Sequence, residues 1–313
     1  MTAHPRRFRF GVEIQEPLEG RTWAETAREL EDLGYSTLFV PDHFHQGWGP
    51  IAAMTAAVLA TTTLRVAPMV LACDFRNPVV LARELATIDV LSSGRVEVGL
   101  GAGYNPRDYR AAGIPMDPPG VRVERLGEQA ELLRALFRGG RVTYAGRHHQ
   151  ADEVELVPAP YRPGGPPLLI AGGGPKLLTI AGRLADIVGI NPTTSRPQRG
   201  HTPGSDALPA GIDAKVALVR DAAGERFAEL ELHSWVAVAA VTDDPEEAAA
   251  PAGRRLGLPA EQALTTPLVL AGSEAAIVET LLARRERWGC SYLTLPASAV
   301  RPLAGVVARL AGT

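Results

Sequence analysis

Cysteine is almost missing from this chain: Cys73 and Cys290 are its only two, far apart and without a companion, so neither a disulfide framework nor a thiolate zinc site is indicated. Both read as buried residues. Long apolar runs are absent as well, since none approaches the roughly 20 residues that a bilayer-spanning helix needs. The first ten residues carry arginines but no apolar stretch of signal-peptide length, and the expected location is therefore cytoplasmic, with no membrane partner. Charge of one sign is lacking too. The 32 basic and 35 acidic residues are scattered for a net charge of -3, so no basic stripe is available to hold nucleic acid. What is present is the balance of a globular protein, 46% hydrophobic and 21% charged. At 313 residues it fits one α/β barrel around one large core, and a single domain over 1–313 is expected.

Hydrophobic spacing sets the order of elements. An apolar run over 8–14 precedes Thr22-Trp23-Ala24-Glu25, a capping box whose hydroxyl and carboxylate satisfy the first free helix amides. The helix it starts puts Trp23, Ala27 and Leu30 on one face, Gly34 supplies a left-handed C-terminal turn, and 37–40 reads as a buried strand. The unit recurs as helix 50–60, strand 64–71, helix 78–91 with Asn77 as N-cap and Pro78 as first helical residue, and strand 96–100. Then come helix 121–137, strand 168–171, helix 176–184, strand 186–190, helix 212–223, strand 230–241, helices within 245–265 and 273–288, strand 292–295 and a closing helix 302–310. Eight apolar strands, each followed by a helix or a long connection, predict an α/β fold, a (β/α)8 TIM barrel with insertion segments, ahead of a doubly wound sheet. Two stretches break the rhythm. Residues 143–167 are proline-rich and irregular, with a short hairpin expected around Ala145-Gly146; 191–211 follows a strand's C-terminal end and reads as a lid.

Three places carry chemistry. Pro41-Asp42-His43-Phe44 ends the second strand, where a barrel presents its catalytic groups, and imidazole beside an acid is suited to proton exchange near neutral pH. Trp48 follows closely, as a pocket wall or as loop packing. His43 and His45, two apart, offer too few ligands for a metal and have no carboxylate at a recognised spacing, and His148-His149 lies in an irregular segment; no metal is expected. Ala171-Gly172-Gly173-Gly174-Pro175-Lys176 lies between a strand and a helix, where glycines admit an anion to free amides and the helix N-terminus favours phosphate. Gly99, Gly101 and Gly103 end the fourth strand. They either clear a face for a flat ring or answer to packing. Ala72-Cys73-Asp74-Phe75-Arg76 ends the third strand in a turn toward the same mouth.

Taken together, 64–70, Arg76-Asn77-Pro78, Leu81-Ala82, Asp89, Leu91-Ser92-Ser93-Gly94-Arg95 and Gly99-Leu100-Gly101-Ala102-Gly103 resemble the signature block of luciferase-like monooxygenases and their deazaflavin-dependent relatives. The glycines at 172–174 and the stretch 215–232 with Ala222-Ala223-Gly224-Glu225-Arg226-Phe227 look like the F420-dependent oxidoreductase branch. The resemblance covers nearly the whole chain. It implies that Asp42 and His43 match an acidic-His pair against the deazaflavin ring, with His43 the catalytic candidate. It implies that Gly172, Gly173 and Gly174 hold the coenzyme phosphate, and that Val70, Leu71 and Ala72 match a bulge, often with a non-prolyl cis peptide, that backs the ring, with Gly103 nearby.

One departure stands out: where the sugar-phosphate dehydrogenases of this branch place a catalytic Glu, this chain has Tyr104, a second catalytic candidate. The implied function is hydride transfer between coenzyme F420 and a small organic substrate, reducing an activated C=C or C=N bond. An FMN-dependent monooxygenase using oxygen, and a non-catalytic flavin-binding protein, are the alternatives. Barrels of this family often pair through outer helices, so a homodimer is a further expectation.

Overall fold

Short strands apolar on both faces must be covered by helices on one side and by each other's side chains on the other, and a closed ring of parallel strands meets both demands. The computed structural model of the protein describes residues 6–193 and 204–313. Its strands are β1 (Arg9–Glu13), β2 (Thr37–Val40), β3 (Arg65–Pro68), β4 (Leu71–Ala72), β5 (Val98–Gly101), β6 (Val142–Ala145), β7 (Gln150–Val154), β8 (Leu168–Gly172), β9 (Ile187–Ile190), β10 (Glu231–Trp235), β11 (Val238–Val241), β12 (Val269–Gly272) and β13 (Cys290–Pro296). The helices are α1 (Trp23–Asp32), α2 (Pro50–Ala60), α3 (Pro78–Leu91), α4 (Pro106–Ala112), α5 (Pro119–Arg138), α6 (Pro175–Leu184), α7 (Pro209–Ala223), α8 (Pro245–Leu256), α9 (Ala260–Thr265), α10 (Glu274–Trp288) and α11 (Ala304–Leu310).

Nine parallel strands run in the order β3-β2-β1-β13-β10-β9-β8-β5-β4. β3 and β4 are two pieces of one stave, parted by a cis peptide between Met69 and Val70 at the place the resemblance indicates. The Val66 amide donates to the Arg95 carbonyl (3.0 Å) and the Glu97 amide to the Val66 carbonyl (3.0 Å), which joins β3 to the lead-in of β5 and closes the ring. The result is the expected eight-stave barrel. Its N-terminal end is closed by Arg9, which bridges Glu97 and Glu231 (2.7 Å to the latter) and lies over the Tyr292 ring at 4.0 Å.

Local expectations about helix ends hold: Thr22 and Glu25 form the capping box, and Asn77 caps α3 with Pro78 at its first position. The hairpin around Ala145-Gly146 is β6 with β7. Other expectations need correction. The single strand expected over 230–241 is two, because β10 stays in the barrel while β11 leaves it to pair with β12 in a separate two-stranded sheet. α7 begins at Pro209, before the expected start at Ile212, and α4 and β12 were not expected. Of the lid segment over 191–211, residues 194–203 lie outside the described residues.

Candidate active site

The C-terminal ends of the staves bring Glu13, Asp42, His43, Tyr104, the 172–174 glycines and Trp235 to one rim. Asp42 and His43 follow β2 but part company. The Asp42 carboxylate takes a two-pronged ion pair from Arg76 (2.7 and 2.9 Å) and accepts from the Ala72 amide (3.2 Å), so it ties the end of β2 to β4. His43 finds its acid elsewhere: its Nδ1 is 2.7 Å from Asp108 Oδ2, on α4, 65 residues downstream. The same carboxylate meets His45 Nδ1 (2.9 Å) and accepts from the Phe44 amide (3.1 Å), both on Oδ1. Asp108 is 2% exposed. Burial alone would raise its pKa, but the hydrogen bonds from His43, His45 and Phe44 outweigh it and hold the carboxyl below its ordinary range.

A short helix does the placing. Asn105 caps α4, Pro106 starts it, and the Tyr109 side chain is buried with its hydroxyl on Asp74. Gly103, at φ +68°, leaves the room that the Tyr109 hydroxyl takes. Tyr104 then stands over His43, its hydroxyl 3.4 Å from Nε2 and its ring edge-on at 5.7 Å. The other glycines of that row answer to packing also: a side chain at Gly99 would run into the Pro68 carbonyl, and one at Gly101 into Val70 (2.5 Å). That is the packing alternative of the two. Trp48 stacks on Trp23 at 4.8 Å and stays partly exposed.

Sequence reading did not single out Glu13 or Asp108. Burial pushes the Glu13 carboxyl up, against hydrogen bonds from Trp235 Nε1 (2.9 Å) and Gln15 (3.3 Å) and the nearby His43. The available signal was an acid at the end of an apolar strand, on the rim that also holds His43. Asp108 gave none, because nothing local marks which carboxylate an imidazole will meet.

The three glycines after β8 have separate reasons. A methyl group at Gly172 would strike Leu177 (2.7 Å), and one at Gly173 would strike the carbonyls of Asn191 and Pro192 (2.5 Å). At Gly174 it would meet nothing within 4 Å among the described residues, although the backbone there is ordinary and extended. Gly174 caps the ten-residue α6, and no backbone hydrogen bond among the described residues uses the Gly173 or Gly174 amide. Unspent amides and open space at a helix N-terminus fit an anionic group such as a phosphate. The carbonyl shelf beside them is braced: buried Lys215 donates to the Asn191 carbonyl (2.7 Å) and to Asp206 (2.7 Å), and Asp206 accepts from the Thr193 amide (2.8 Å).

The family model described as luciferase-like monooxygenase matches residues 7–288. Over 175 residues the chain is 32% identical to F420-dependent glucose-6-phosphate dehydrogenase of Amycolatopsis mediterranei (strain U-32), covering 53% of this chain and 52% of that protein. Over 215 residues it is 28% identical to 5,10-methylenetetrahydromethanopterin reductase of Archaeoglobus fulgidus, covering 69% of this chain and 61% of the other. The chain thus spans about half, or a little more, of the length of the curated relatives it matches. Among solved structures, the coenzyme F420 dependent tetrahydromethanopterin reductase from Methanopyrus kandleri superposes with a TM-score of 0.78 over 97% of this chain and 100% of that one, at 16% identity. That likeness is one of fold.

Proposed function

The chain belongs to the luciferase-like monooxygenase family, and from that premise we propose that it is an oxidoreductase using coenzyme F420 to reduce an activated C=C or C=N bond of a small organic substrate. The observation that carries the reading is His43 held by Asp108 on one ring nitrogen while the other faces Tyr104 at the rim. The choice of coenzyme is supported by a relative named as F420-dependent and by a cradle suited to phosphate at 172–174.

Gly173 and Gly174 would hold the coenzyme phosphate with their amides, the N-terminus of α6 adding its positive end. Val70, Leu71 and Ala72 would back the ring, their place fixed by the Asp42 grip on the Ala72 amide. When bound in its reduced form, F420 supplies a hydride, and one proton from the protein completes the addition of two hydrogens across the double bond.

Handling that proton is the work of His43. An ionised Asp108 accepts from Nδ1–H, which fixes the tautomer and leaves Nε2 on the side of Tyr104 to take or give the proton. When Nε2 is protonated the imidazolium faces the Asp108 carboxylate, so its charge is matched on the spot. Tyr104 orients whatever lies against Nε2. Glu13, with its carboxyl pushed toward the neutral form and fixed by Trp235, is a second group able to hold a proton at the same rim.

The deciding experiment is titration of the purified protein with oxidised and with reduced F420, followed by coenzyme fluorescence, beside a parallel titration with FMN. Binding of F420 ahead of FMN is the expected result. Failure to bind either form of F420 would remove the reading, and tight FMN binding with oxygen uptake would replace it by a flavin monooxygenase.

A further inference from the structure

His43 and His45 lack a third ligand in the sequence, and folding supplies it. One ring nitrogen from each histidine and one Asp108 carboxylate oxygen lie within 4.8 Å of one another. We infer that His43, His45 and Asp108 form a site for one divalent transition-metal ion of the zinc class, and that its occupation arrests the enzyme by engaging His43. The arrest rests on the reading of His43 as the proton-handling residue; the binding does not.

Four observations carry it. The donor set is two imidazoles and one carboxylate, a combination that favours zinc, cobalt, nickel or copper over calcium and magnesium. Both rings turn the same nitrogen toward the same carboxylate, one to each oxygen, at 2.7 and 2.9 Å. Tetrahedral ligand bonds of about 2.0–2.1 Å set donors roughly 3.3–3.4 Å apart, so each nitrogen–oxygen distance must open by about half an ångström and the cluster, now within 4.8 Å, must settle to that spacing by side-chain adjustment. The carboxylate is also preorganised: it is buried, pinned by the Phe44 amide, and carried on a helix anchored through Tyr109.

Fixed cations are the third consideration, since a carboxylate already paired with arginine would gain little from a metal. Among the described residues the ion-pair partners of Asp108 are the two imidazoles, while Arg76 is committed to Asp42 and Arg125 to Asp74 and Asp117. Last, the side chains of His43 and His45 are 15% and 20% exposed, so an ion reaches the cluster from solvent and three protein ligands leave a position for water. The metal would lie on the Asp108 side of His43, in place of the hydrogen bonds that now set its tautomer.

Cobalt(II) is the probe for binding, because its visible bands report ligation whether or not the enzyme turns over. Chelator-treated protein titrated with cobalt chloride should develop those bands with one ion per chain, and zinc should displace them. Asp108→Asn and His45→Gln, each checked for folding by circular dichroism, should weaken binding roughly tenfold or more. Zinc should inhibit F420-linked turnover of the wild type, reversibly with EDTA, and inhibit His45→Gln far less relative to that variant's own metal-free rate. Absence of bands up to millimolar cobalt, or unchanged affinity in both variants, would overturn the site. One bound ion with no inhibition would uphold the site and overturn the arrest, along with the role given to His43.

Discussion

At the scale of single residues the molecule separates groups that touch the chemistry from groups that only permit it. Replacing His43 by Ala should lower kcat by about 10²- to 10⁴-fold, the usual contribution of a positioned acid-base group, while F420 affinity changes little. Asp108→Asn should act in the same direction and alter the pH profile, since an amide can hold the wrong imidazole tautomer. Steady-state kinetics beside a binding titration separates the two effects, and unchanged turnover in His43→Ala would refute the assignment. The glycines make a sharper comparison. Gly174→Ala should fold normally and weaken coenzyme binding, because its methyl group meets none of the described residues and enters the proposed phosphate site; Gly173→Ala should unfold the loop, because its methyl group meets two carbonyls. Equal coenzyme affinity in Gly174→Ala and wild type would move the phosphate elsewhere. The place of His43 on the rim could be read in sequence because a strand end in a barrel is itself a signal. Its true acid could not, since Asp108 is chosen by the packing of a helix that Gly103 and Tyr109 put in place.

At the scale of elements, ends were legible and partners were not. A capping box, an Asn before Pro, and a Gly after an apolar stripe each act within a turn of chain, so Thr22, Asn77 and Gly34 could be placed from sequence. The run over 230–241 could not be divided, because apolar spacing is silent about a change of neighbour. There the Val236 amide still donates to Thr294 of β13 (2.9 Å), and the next amide, Ala237, donates to Leu268 (2.8 Å), beside β12. Glu31 shows how one side chain can secure such a junction. From α1 it accepts the amides of Thr62 (2.9 Å) and Leu64 (2.9 Å), and that of Thr63, at the turn into β3. Burial alone would raise its pKa, yet these hydrogen bonds outweigh it and bring the carboxyl from 4.5 to about 2. The folded value lies below the unfolded one, so the stabilisation is full above about 4.5 and disappears as pH falls toward about 2. Glu31→Gln should therefore cost about 1 kcal/mol at neutral pH, allowing for solvent screening, and nothing near pH 2. Urea unfolding of both proteins across that range checks it; a pH-independent difference would show that the charge is not what matters.

For the whole molecule, the two ends of the barrel differ: the proposed site stands at the C-terminal rim, and a charge cluster ties the staves together at the other end. Its centre is Arg9, shared between Glu97, whose side chain is 1% exposed, and Glu231, with Tyr292 beneath it and its hydroxyl within 2.9 Å of Glu97. Burial lowers and Tyr292, Glu97 and Glu231 raise the Arg9 pKa, and the raising effects prevail, so the guanidinium is charged at every working pH. The three charged groups come from β1, the lead-in to β5, and β10, staves that are not neighbours, and so the ring is tied across its diameter. Arg9→Ala leaves buried Glu97 and Glu231 without their shared guanidinium, with Arg65 still 3.7 Å from Glu97. It should destabilise the protein by about 3–5 kcal/mol in urea unfolding, the range seen when one partner of a buried ion pair is removed. Adding Glu97→Gln should recover part of that loss, because the repulsion left by Arg9→Ala then has one charge fewer, and a double-mutant cycle measures the coupling. Turnover per folded molecule should survive both changes, since His43, Asp108 and the 172–174 glycines occupy the opposite end. A loss below about 1 kcal/mol in Arg9→Ala would mean that water reaches the carboxylates and that packing alone closes the barrel floor.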